Sequence, residues 1–98
     1  MSAVRLTLYV AGSSPRSEAA VANLRRICGS ELAHEADFTV VDVVEHPERA
    51  EEARILTTPT VVRESPPPLR RVTGDLSSTA RVMAALGLQS RPSTQEQG

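Results

Sequence analysis

From Val4 to Val10 apolar side chains recur at every second position, Val4, Leu6, Leu8 and Val10, which is the period of a β-strand. Gly12 breaks the alternation, and the period then lengthens: Ala20, Val21, Leu24, Ile27 and Cys28 fall on one helical face. Ser14 suits the cap of that helix, Pro15 its first position, and Glu18 complements the positive end of its dipole. Either Gly29 ends the helix or Leu32 extends it by one turn. The run "FTVVDVV", Phe38 to Val44, is β-branched and almost continuously apolar, the composition of a central strand covered on both faces. A helix between two such strands predicts a right-handed βαβ unit.

Pro47 opens "HPERAEEARIL", a second helix with acidic residues in its first turns and a thin apolar stripe of Ala50, Ala53, Ile55 and Leu56. Short strands are expected at Val61–Val62 and Leu69–Val72, on either side of Pro66, Pro67 and Pro68, which favour extended polyproline geometry. Gly74-Asp75 turns the chain, Ser77 can cap, and Val82, Met83 and Leu86 mark a last helix ending at Gly87. The order is βαβαββα in one α/β domain, the order of thioredoxin, spanning residues 1–88 and followed by a polar, disordered tail over 89–98. Thr58-Pro59 lies just before the third strand, where thioredoxin folds often carry a cis-proline, and is the candidate for one here.

Composition narrows the chemistry. The chain has 98 residues, 40% of them hydrophobic, and Tyr9 and Phe38 as its aromatics, so the core is aliphatic and offers little surface for stacking nucleobases. All 11 basic residues are Arg, yet the net charge is −1, which argues against a general nucleic-acid binder. One cysteine excludes an internal disulfide and gives no zinc spacing. The start "MSAVRLTLYV" has no signal-peptide pattern, and no apolar run approaches the ~18 residues of a membrane span. A cytoplasmic protein without membrane or nucleic-acid partners is expected.

A thioredoxin-type enzyme needs a thiolate at the start of its first helix. Positions 12 to 15 read Gly-Ser-Ser-Pro, and serine has no redox chemistry. Cys28 lies further along the apolar face and reads as a small buried hydrophobe. Gly12, Ser13 and Ser14 read as ordinary capping rather than an anion site, and His34 and His46 as solvated surface residues. No catalytic, metal-binding or cofactor-binding constellation emerges. What remains is a surface: the alternating charges of Glu48 to Arg54, and Arg70 with Arg71, read as solvated faces or as a patch where Arg pairs with a partner's carboxylates.

The segments "LYVAGSSPRS", "VVDVVEHPERAEEARILTTPTVV" and "PPPLRRVTGDLS", in that order and spacing, resemble the KaiB family of circadian-clock proteins from about Leu6 to Leu86. The resemblance implies a non-enzymatic protein that docks on the N-terminal ATPase ring of a KaiC-type kinase and modulates its phosphorylation and ATPase cycle. It also implies metamorphism between a thioredoxin-like monomer and a tetramer or dimer of a family-specific fold. By motif, Glu52, Arg54, Ile55, Thr58, Pro59, Arg70 and Arg71 become the expected partner-binding residues, and Pro59, Pro67, Pro68, Ala85 and Gly87 the fold-switch positions. Tyr9 matches the family's strand tyrosine, with packing as its plain role. Helix propensity over "AEEARIL", and Ala85 where relatives carry Gly, worth up to ~1 kcal/mol toward helix, favour the thioredoxin-like state. The tail "RPSTQEQG" replaces the acidic tail of cyanobacterial members, which points to a non-cyanobacterial host and leaves KaiA an open partner. Two alternatives stand beside this reading: a sensor or adapter domain of a clock histidine kinase, against which the natural-looking start "MSAVRL" speaks, and a monothiol thioredoxin-like enzyme using Cys28.

Overall fold

The computed structural model describes residues 4–32 and 35–90. Seven elements follow in the expected order: β1 (Val4–Val10), α1 (Pro15–Arg26), β2 (Ala36–Asp42), α2 (Pro47–Ala53), β3 (Thr60–Ser65), β4 (Arg70–Thr73) and α3 (Thr79–Leu86). The strands form one sheet in the order β2-β1-β3-β4. β1 runs parallel to β2, with Val4 opposite Ala36 and Val10 opposite Asp42, while β3 is antiparallel to both β1 and β4.

The first helix starts as its cap residues dictate. Ser14 is extended, its hydroxyl accepts from the Ser17 amide at 3.2 Å, and Pro15 takes the first helical position. Gly29 does not end the helix, because it never enters the left-handed region; the chain continues as a π-helical turn over Ile27–Glu31 and leaves it at Leu32. α3 is capped by Ser78, one residue past the expected Ser77, whose amide instead donates to the Asp75 carboxylate. Gly87 closes α3 at φ +67°, as a C-terminal glycine should.

Side chains alternate across β1, so each face of the sheet receives a different set. Val4, Leu6, Leu8 and Val10, with Val61 and Val72, pack against Ala20, Leu24 and Ile27 of α1 and its π-turn and against Val82, Met83 and Leu86 of α3. The opposite face holds a smaller cluster, Tyr9, Val41 and Val62, partly covered by Val43, Ala53 and Ile55. Tyr9 therefore packs, as expected. β1 is thus buried on both faces. The expectation that Phe38–Val44 forms the central strand is corrected: β2 spans Ala36–Asp42 and lies at the sheet edge, with Val40 exposed. β3 takes the other side of β1, and that antiparallel pairing leaves β2 with one neighbour.

Three local expectations also change. α2 stops at Ala53 rather than running to Leu56, because Arg54 turns left-handed at φ +56° and its amide closes onto Ala50 and Glu51. The triple-proline loop is not uniformly extended: Ser65-Pro66 and Pro67-Pro68 are cis, as is Thr58-Pro59. Ser90 forms an isolated antiparallel bridge with Leu32, so pairing reaches into the segment read as tail; residues 91–98 lie outside the described residues.

Two polar groups tie the elements together. Arg63 is only 7% exposed and crosses from β3 to the end of α3, donating to the Leu86 carbonyl at 2.9 Å and the Pro68 carbonyl at 3.0 Å. Asp42 accepts from the Gly12 amide at 3.0 Å and the Val44 amide at 2.9 Å, fastening the β1–α1 turn to the end of β2. The Gly12 and Val44 hydrogen bonds hold the Asp42 carboxyl below the usual carboxylate range.

Leu24, fully buried in the larger cluster, should lose about 2–5 kcal/mol of stability as Leu24→Ala, read by urea unfolding. Gly87→Ala should destabilise by about 1–2 kcal/mol, since the left-handed backbone disfavours a Cβ and the new atom would meet Nη1 of Arg63 at 3.1 Å. Asp42 has a depressed carboxyl, so its stabilisation is complete above about pH 3.9, the unfolded-chain value, and is lost as pH falls through the lower folded value. Acid unfolding followed by circular dichroism should therefore show a shallower acid limb in Asp42→Asn than in the parent.

Candidate functional site

Register places the β1–α1 turn, the end of β2 and Pro59 at one end of the sheet, since Tyr9 pairs with Thr60 and Val10 with Asp42. This is where a thioredoxin enzyme would work. The positive end of α1 is already engaged here, with Gly12 bonded to the Asp42 carboxylate and Ser17 to the Ser14 hydroxyl. Cys28 is remote from the turn, half-buried in the π-helical segment and packed on the main core. Burial, reinforced by the negative charge of Asp37, pushes its thiol up to about 11, so it is protonated at neutral pH.

The other face offers a surface instead. α2 has no buried residue; Ala53 at its end and Ile55 just beyond it pack on the Tyr9, Val41 and Val62 cluster. Its C-terminus is held by Arg71, whose guanidinium donates to the Ala53 carbonyl at 3.0 Å and the Arg54 carbonyl at 2.9 Å. A cation there complements the negative end of the helix dipole, by about 0.3–1 kcal/mol at an exposed site. Immediately beyond, Leu56 projects into solvent at 96% exposure. Between α2 and the strands lies an open groove of about 490 Å³ whose walls include Tyr9, Arg49, Glu52, Arg54, Glu64 and Arg71. Burial and then Glu64 raise the Tyr9 phenol above its ordinary value, against opposing pulls from Arg49 and Arg71.

The expected contact residues separate into two groups. Glu52, Arg54, Ile55 and Arg71 gather around the end of α2, with Glu52 and Arg54 exposed and Ile55 half-buried. Thr58 is half-buried and Pro59 buried in the segment that enters β3, where the Pro59 carbonyl accepts from the Gly74 amide at 2.9 Å. Arg70 and Arg71 do not act as a pair. Arg71 opposes Val62 and reaches α2, whereas Arg70 opposes Arg63 and lies on the α3 side, within 3.4 Å of where a Gly87 Cβ would stand. The strand period of two sends neighbours to opposite faces.

Of the positions read as fold-switch sites, Pro67 and Pro68 are exposed in the β3–β4 loop, Ala85 packs partly on the core and Gly87 ends α3. His46 is exposed, with Nδ1 3.7 Å from Glu48, and His34 lies outside the described residues. Sequence reading missed the exposure of Leu56 and the bridging roles of Arg63 and Asp42. Leu56 carried the wrong signal because helical spacing assigned it to a buried stripe that the left-handed Arg54 interrupts.

Known proteins bear on this geometry. The family model of the KaiB domain matches residues 7–88. Circadian clock protein KaiB3 of Synechocystis sp. is 44% identical over 88 residues, covering 90% of this chain and 86% of that protein. Circadian clock oscillator protein KaiB of Synechococcus sp. RCC307 is 46% identical over 83 residues, 85% of this chain and 76% of that one. Among solved structures, the N-terminal domain of Synechococcus elongatus SasA superposes with a TM-score of 0.69 at 21% identity, over 86% of this chain and 80% of that one. Mitochondrial thioredoxin 3 of Saccharomyces cerevisiae gives 0.64 at 18% identity, over 85% and 76%, so the fold is thioredoxin-like. On the family match and the identity over most of its length, the chain belongs to the KaiB family of circadian-clock proteins.

Proposed function

We propose that this protein is a regulatory binding protein, not an enzyme, which docks on the N-terminal ATPase ring of a KaiC-type kinase and modulates its phosphorylation and ATPase cycle. The observation that carries this reading is the composition of the turn after α2. Arg54 and the 96%-exposed Leu56 stand two residues apart, with the Arg71 guanidinium bonded to the same turn. An exposed leucine beside arginines suits an interface with an apolar centre and a charged rim. Glu52, Ile55, Thr58 and Pro59 complete this patch, and Arg70, on the α3 side, belongs to it only if the partner wraps the β4 edge. Family membership supports a second, oligomeric state, a tetramer or dimer, with Pro59, Pro67, Pro68, Ala85 and Gly87 as the positions where the chain changes. A cytoplasmic location is part of the same proposal. The half-buried, protonated Cys28 gives a monothiol reading no support.

The test is association with the KaiC-type ATPase of the same organism in the presence of ATP, followed by size exclusion with light scattering from minutes to a day. A complex is expected, weakened about tenfold or more by Arg54→Glu, which reverses a charge at the rim. Absence of a complex at tens of micromolar after a day would remove this function.

A further inference from the structure

β4 closes one side of the sheet, with β3 as its one strand neighbour among the described residues. The ladder between them fixes which main-chain groups remain free. Opposed residues in an antiparallel pair alternate between those that exchange hydrogen bonds and those that do not. The Gly74 amide donates to the Pro59 carbonyl at 2.9 Å, and these two residues continue the register in which Thr73 faces Thr60. Val72 and Arg70 therefore bond inward, to Val61 and Arg63, whereas the amides and carbonyls of Arg71 and Thr73 point away from the sheet. Arg70, Arg71 and Thr73 are all exposed.

An open edge is a template for another strand, and the side chains along it decide which strand it accepts. From Leu69 to Gly74 the chain carries Arg70 and Arg71 and no acidic residue. The Arg71 guanidinium is engaged at the end of α2, but Arg70 forms no hydrogen bond or ion pair among the described residues. Arg63 lies opposite Arg70 on the same face, so two cations adjoin there with no carboxylate paired to either among the described residues. Leu69, 61% exposed, adds apolar surface on the α2 side. The other free edge has the opposite character, since β2 carries Asp37 and Asp42 and no basic residue. A second copy pairing through its own β4 would set arginines against arginines, and like charges directly opposite destabilise a strand pair.

We propose that the outer edge of β4 accepts an acidic β-strand from a partner protein. The incoming strand bonds to the main chain of Arg71 and Thr73. Its carboxylates face Arg70 on the α3 side, and its apolar side chains lie by Leu69 on the α2 side. The contact uses the main chain of Arg71 and leaves the guanidinium on α2, so it stands or falls independently of kinase docking.

The test is titration of the full ¹⁵N-labelled chain, at neutral pH and constant ionic strength, with the capped peptide Thr-Glu-Val-Glu-Val-Thr, which alternates acidic and apolar positions. Saturable amide shifts are expected from Leu69 to Thr73, with a Kd below about 1 mM. Hydrogen exchange should slow on binding at the Arg71 and Thr73 amides, while those of Arg70 and Val72 are protected already in the free chain. The same peptide with Lys in place of Glu should bind at least about tenfold more weakly. Thr73→Pro removes one outward N–H, a change that an edge strand tolerates, and should abolish the response. Arg70→Glu, which leaves every main-chain group in place, should weaken the acidic peptide about tenfold or more. Absence of saturable shifts, equal binding of the Lys peptide, shifts confined to β2 or α2, or undiminished binding in Arg70→Glu or in folded Thr73→Pro would each overturn the proposal.

Discussion

Burial of β1 on both faces is the constraint that organises the rest of the molecule. Its even positions, Leu6, Leu8 and Val10, face α1 and α3, and Tyr9 faces α2. A one-residue slip in its pairing would exchange these sets and place Tyr9 among the leucines. The parallel register with β2 and the antiparallel register with β3 are therefore bound to the same side-chain pattern, and the βαβ crossover through α1 follows from the parallel pair.

The two layers on this sheet are unequal. Among the described residues, fourteen buried ones form the cluster under α1 and α3, against three under α2, so the sheet is well covered on one side and thinly covered on the other. A short helix with no buried residue and a left-handed exit adds little to the core. The α1–α3 side holds the larger core, and the α2 side leaves Arg54, Leu56 and an open groove at the surface. The architecture is thioredoxin-like, and its β1–α1 turn is a structural joint fastened to the Asp42 carboxylate.

Arginine is used here as a multivalent bolt. Arg71 binds two carbonyls at the end of α2, and Arg63 binds carbonyls at the end of α3 and in the proline loop. Each cation lies at the negative end of a helix dipole, and its planar fork spans two acceptors at once, a geometry that lysine lacks. Asp42 plays the complementary part at the start of α1, accepting backbone amides through the same kind of charge-assisted bond. Arg63 differs in being buried, with its Nε unpartnered among the described residues.

Element order, caps and core membership were legible along the chain because they depend on neighbours within one helical turn or one strand. Ser14 and Pro15 start α1, Gly87 ends α3, and the alternation of Val4 to Val10 marks a strand, whatever the rest of the fold does. The family signature was legible too. Other features were not, for a common reason: they depend on pairings between distant segments. "FTVVDVV" has the composition of a central strand, yet β2 became an edge because β3, about twenty residues later, claimed the far side of β1. Arg70 and Arg71 read as one patch until strand pairing sent them to opposite faces. Leu56 reads as buried until Arg54 turns left-handed and releases it into solvent. Local propensity states what each segment prefers; which face meets which, and which charge is enclosed, follows from long-range packing that no window of the chain contains.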